Sequence, residues 1–251
     1  MFTSINARCF TGAAAMAGCV VLCASLAHAG GTATVLHPPG AVDSIARGVN
    51  GSLQGGAIRP PNLSFSRPAI WSGTPGSAVY LSSDLGEVNG VGPGMQVGYT
   101  LTPVFEARAM LWRGSQASGV SLHPAISTGS AARATDGVSQ VGGASIGGLS
   151  HAALWSGSAA SWKDLHPAGA THSIAYALSG NQQGGAARVG GADHASLWTS
   201  TAASWVDLHP ARASSSQVNG IAGTRQSGAA TIGGVVHASM WNGTPESWTS
   251  L

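Results

Sequence analysis

The chain reads as an all-β protein, a five-bladed β-propeller built from four-stranded repeats of about 43 residues. Three observations lead there. Tryptophans and leucines recur at one fixed interval, glycine-rich turn words separate short apolar runs, and the two ends sit at the same point of the repeat.

The interval is read directly. Trp112, Trp155, Trp198 and Trp241 lie 43 residues apart, as do Leu122, Leu165, Leu208 and Leu251. Trp71 and Leu81 hold the same places one copy earlier, displaced by two residues, and Leu36 lies two periods before Leu122. A serine follows eight residues after the leucine (Ser44, Ser130, Ser173, Ser216) and a glutamine eighteen after it (Gln54, Gln140, Gln183, Gln226). The words Gly55-Gly56-Ala57, Gly142-Gly143-Ala144 and Gly184-Gly185-Ala186 then follow. Chance does not align this many positions.

Within one copy the pattern predicts four short strands. In the copy ending at Leu208 these fall near 173–178, 185–189, 195–199 and 204–208. Ser179-Gly180-Asn181-Gln182 and Gly190-Gly191-Ala192-Asp193 supply the first two turns, in residue types that tolerate turn geometry. Four strands in this length is the size of a propeller blade.

The ends give the ring. Leu36 and Leu251 are five periods apart, so residues 32–36 align with 247–251. A closed ring gains from this, because strands from both termini complete one sheet and remove two free edges. An open solenoid gains nothing from it and needs atypical caps.

Residues 1–29 read as a signal peptide. One charge (Arg8) precedes an apolar stretch from Phe10 to Leu26, and Ala27-His28-Ala29 is a small-x-small cleavage word before Gly30. Thr11, Gly12 and Gly18 interrupt the run, which falls short of the ~20 apolar residues a membrane span needs. Met16-Ala17-Gly18-Cys19 faintly matches a lipoprotein box, but the apolar run continues beyond it. The mature part, 30–251, is expected to be one propeller domain, periplasmic or secreted, with no membrane span.

Cys9, Cys19 and Cys23 all lie in the signal, so the mature chain carries neither disulfide nor thiolate chemistry. Without Arg8 it holds ten basic residues against nine carboxylates, a net charge of +1 with histidine neutral. No basic stripe suits a phosphate backbone, which argues against nucleic acid as a partner.

The words His151-Ala152…Trp155, His194-Ala195…Trp198 and His237-Ala238…Trp241, with later Asp-Leu words and glycine-marked turns, resemble those of bacterial exported proteins with HAF-type extracellular repeats. The resemblance spans about 34–251. Arg67-Pro68 and Arg108-Ala109 depart from the His-Ala word, and Gly-Gly mostly replaces an aliphatic pair after the glutamine. It implies a propeller-like fold and export only.

Candidate residues fall into sets. Arg67, Arg108, His151, His194 and His237 stand four before the first tryptophan, and each can donate a hydrogen bond. The plain reading is a structural bond within each blade. A ring of metal ligands is disfavoured, because guanidinium is no ligand, so neither metal nor cofactor is expected. Trp71, Trp112, Trp155, Trp198 and Trp241, present in every copy, read as core. Trp162, Trp205 and Trp248 occur only in later copies, Gly119 and Ala78 replacing them earlier, so they either pack between blades or stack on a sugar ring. His166 and His209, each before a proline, join His37 and His123 as a turn set that either ends a strand or faces a ligand.

Catalysis finds little support. Glu87, Glu106 and Asp136 show no spacing that pairs carboxylates, and no Gly-x-Ser-x-Gly elbow is present. The expected function is a non-catalytic binding or surface-interaction module, monomeric, with a glycan or another envelope component as partner. A purely structural envelope repeat and a glycoside hydrolase whose carboxylates converge only in three dimensions are the alternatives.

Overall fold

The structure, a computed structural model, describes residues 33–251. The expected signal segment and its cleavage site lie outside the described residues. The unit Leu36–Leu251 consists of five four-stranded antiparallel sheets, each a simple meander in which strands pair in chain order. The first strands are Asp43–Asn50, Gly86–Gly92, Gly129–Thr135, His172–Ser179 and Ala213–Ala222. Neighbouring sheets pack through these first strands, which gather toward the centre.

The sheet ending at Asp207 shows why the repeat folds this way. Its strands are His172–Ser179, Gln182–Val189, Ala192–Trp198 and Val206–Asp207, close to expectation except for the last. A single 3-10 turn, Ala202–Ser204, takes the start of the segment expected to be extended. The Ser204 hydroxyl causes it, accepting from Thr199 N–H and donating to Thr201 O, both at 2.7 Å. The same turn recurs in all five sheets.

The conserved glutamine of each copy is a clamp. Gln183 is 1% exposed; its Nε2 donates to Asn181 O at 2.8 Å and its Oε1 accepts from Ser200 N–H at 2.7 Å. It ties the first hairpin turn to the loop after the tryptophan, and Gln54, Gln140 and Gln226 do the same. Gly190 and Gly191, at φ of 60° and 88°, form the two-residue hairpin that needs two left-handed positions.

The glycine words answer a different need. Each first strand carries a β-bulge, and the backbone opposite it leaves no room for a side chain. A Cβ on Gly185 would lie 1.9 Å from the Ile174 carbonyl oxygen, and Gly56, Gly98, Gly142 and Gly228 are equally blocked.

Apolar packing between sheets supplies the core. Between the last two sheets it joins Ala195, Leu197 and Leu208 to Val218, Ala230 and Trp241. The period-marking leucines Leu81, Leu122, Leu165 and Leu208 are fully buried in such interfaces. Leu36 takes the equivalent place beside Ile58, Ala69 and Trp71.

Among the described residues the expectation that strands from both termini share one sheet is not met. Residues 33–36 form no strand, and the fifth sheet draws its four strands from 213–250 alone. Leu251, which the period places in an interface, is 75% exposed; Val49 on the first strand is 66% exposed. Among the described residues no packing comparable to that between neighbouring sheets joins the fifth first strand to Asp43–Asn50. Each blade is completed by its own two-residue outer strand, so no foreign strand is required. Among the described residues no helix is long and apolar enough to cross a membrane.

Candidate functional site

The histidines form structural relays between neighbouring blades. In the third interface the Ala152 N–H donates to Ser173 Oγ at 2.8 Å, and Ser173 Oγ meets His166 Nδ1 at 2.7 Å. His166 Nε2 lies 2.9 Å from Ala170 O. A carbonyl only accepts, so Nε2 carries the proton and Nδ1 accepts the serine O–H. Ala195, Ser216, His209 and Ala213 repeat this arrangement atom for atom. Burial lowers the pKa of His166, His209 and His123, with repulsion from a neighbouring His151, His194 or Arg108 adding to it.

The set four before the tryptophan sits beside these relays. His151 and His194 bond Asp164 and Asp207 through Nδ1 at 2.8 and 2.7 Å, and each stacks on the His-Pro histidine. Arg108 bonds His123 and Glu106, His237 bonds Ser250, and the buried Nε of Arg67 has no partner among the described residues.

The tryptophans divide as the copies do. Trp71, Trp112, Trp155, Trp198 and Trp241 are at most 1% exposed. Trp162, Trp205 and Trp248 are half-buried, each packed against an inter-blade cluster at the end of a 3-10 turn. Trp205 and Trp248 spend their indole N–H on Ser196 and Ser239 at 2.9 and 3.0 Å.

The side chains that converge on open space are others. The bulge in each first strand projects its extra residue, and these are Arg47, Asn89, Arg133, Tyr176 and Asn219. Bulges commonly re-aim a side chain in this way. The first four line a cavity of about 760 Å³ together with Glu87 and Tyr99. Arg47 Nε donates to Glu87 Oε2 at 2.6 Å, which holds the Arg47 pKa up. Asn89 Nδ2 anchors to Ala132 O at 2.8 Å. Arg133 lies over the Tyr176 ring with Cζ 5.9 Å from its centroid, and it forms no salt bridge among the described residues. Burial raises the pKa of Tyr99 and Tyr176, so both phenols remain neutral donors.

No family model matches the sequence, and no curated protein matches it. Solved structures do. The fold is propeller-like. TolB from Acinetobacter baumannii superposes with a TM-score of 0.57 at 13% identity, over 82% of this chain and 53% of that one. A puromycin hydrolase mutant complexed with PGG gives 0.61 at 10% identity, over 87% of this chain and 38% of that one. A prolyl endopeptidase gives 0.53 at 11%, over 80% and 34%. The chain thus spans about half or less of these structures, and the likeness is one of fold alone.

The acids Glu87, Asp43, Glu106 and Asp136 are each occupied. Glu87 and Asp43 border a smaller cavity of about 280 Å³, but Arg47 holds the first and Arg59 the second, with Nε–Oδ2 at 2.6 Å. Glu106 pairs with Arg108, and Asp136 caps the turn at Val138 and Ser139 through their N–H groups. Sequence reasoning missed the bulge residues, although one signal marked them. Three places after the repeat serine stands a large polar side chain, Arg47, Arg133, Tyr176 or Asn219, in strands otherwise rich in small residues.

Proposed function

We propose that this chain is an exported, non-catalytic propeller-type module that binds a small polar ligand, carbohydrate first among them, in the cavity at the bulged first strands. One observation carries the reading. Positions that build the blade, tryptophan, leucine, serine and glutamine, are nearly invariant between copies, whereas the bulge position varies through Arg, Asn, Arg, Tyr and Asn. Packing alone keeps copies alike; a site made of different side chains asks them to differ. The volume lies within the roughly 300–1,000 Å³ of small-molecule pockets.

A non-catalytic role is supported by Glu87, Asp43, Glu106 and Asp136, each committed to an arginine or a turn rather than to a second acid. Export is supported by the small-x-small word at Ala27-His28-Ala29. The second tryptophans serve the blade interfaces in this reading, and His166 and His209 serve the relays.

Glycan-array binding by the purified 30–251 chain, set against a Tyr99→Ala/Tyr176→Ala variant, tests the binding role. Binding lost in the variant supports it. An array without signal leaves the repeat as an architectural part of the envelope. Mass spectrometry of the exported protein should find Gly30 at the N-terminus.

A further inference from the structure

We infer that the cavity selects ligands bearing an oxyanion, carboxylate or sulfate, seated between the Arg133 guanidinium and the hydroxyls of Tyr99 and Tyr176. This rests on the binding role proposed above and names its ligand class.

The charges in the cavity are unevenly spent. Arg47 and Glu87 neutralise each other at 2.6 Å. Among the described residues Arg133 is left as the one cation lining the cavity without a carboxylate, and it reaches the site from the bulge of its first strand. Its contact with Tyr176 is with the ring face, which leaves the N–H edge of the guanidinium free to donate. A planar guanidinium presents paired donors that match a carboxylate or sulfate edge.

The two phenols complete the donor set. Neither the Tyr99 nor the Tyr176 hydroxyl has a hydrogen-bond partner among the described residues, although both rings are half-buried and border the same cavity as Arg133. Arg133 Cζ lies 5.9 Å from the centroid of the Tyr176 ring, and Tyr99 lines the same cavity. Three donors without acceptors around a cavity carrying a net single positive charge favour an anion over a neutral polyol. The aromatic faces suit the ring that bears it.

The experiment compares digalacturonate with its dimethyl ester, which has nearly the same shape and no charge, by calorimetry on the 30–251 chain. Galactose 6-sulfate is a third ligand. The acid is expected to bind about tenfold more tightly than the ester, the worth of one charge-assisted hydrogen bond. Arg133→Gln should erase that preference, bringing the acid down to the affinity of the ester. Its side chain is exposed and makes no structural bond, so its thermal midpoint should match that of the parent. Equal binding of acid and ester, or a preference retained in Arg133→Gln, overturns the anion assignment and leaves the binding role standing. Binding of the sulfate but neither galacturonate keeps the oxyanion site and removes uronates. Binding of none of the three overturns both.

Discussion

The ring of His151 lies flat on that of His166, with 3.9 Å between centroids and 12° between planes. His194 and His209 repeat the pair at 3.9 Å and 9°. The upper ring bonds an aspartate, while the lower is held neutral by a serine hydroxyl on one nitrogen and a carbonyl on the other.

This arrangement makes stability depend on pH. Burial lowers the pKa of His166, His209 and His123 from the ordinary value of about 6.5. The unfolded chain therefore binds protons that the folded one refuses. Stability is full above about pH 6.5 and declines as the pH falls below it. Thermal midpoints measured from pH 7.5 to 5 should fall, and a His166→Gln/His209→Gln variant should show a shallower slope.

The close approach opposite the bulge is equally testable. A Cβ at position 185 meets the Ile174 oxygen at 1.9 Å, so Gly185→Ala must push two strands apart. A loss of about 3 kcal/mol in denaturant titration is expected.

One copy breaks its own rule at the loop after the tryptophan. Gly73, Gly114, Gly157 and Gly243 have φ of 80–85°, whereas the fourth copy places Ser200 there at φ 63°. An L side chain pays about 1 kcal/mol or more for that region. Ser200→Gly should raise stability by roughly 1 kcal/mol while keeping the N–H bond to Gln183.

Much of this architecture was legible in the sequence. The blade count, the four strands and the core role of Trp155 or Trp198 follow from a period that side-chain packing enforces. The 3-10 turn was not, because it depends on where the Ser204 hydroxyl finds its partners. Matched phase at Leu36 and Leu251 does not encode how far each blade turns. The cavity was hidden for a related reason. A bulge is a property of pairing, invisible in one strand, and it alone brings Arg47, Arg133 and Tyr176 to one place.

The second tryptophans should behave as packing. Trp205 fills the interface beside Leu165 and Trp198 and bonds Ser196. Trp205→Ala should cost about 2 kcal/mol in stability, less than a fully buried tryptophan, and leave ligand affinity unchanged. Calorimetry and thermal unfolding on the same samples check both halves.

The most direct test of a ligand site at the bulges is an NMR titration of the 30–251 chain with digalacturonate, following tyrosine ring, arginine Nε–H and tryptophan indole signals together. Shifts at Tyr99, Tyr176 and Arg133, with the indoles of Trp162, Trp205 and Trp248 unmoved, are the expected result. Indole signals that shift while the tyrosines and Arg133 stay still would contradict it.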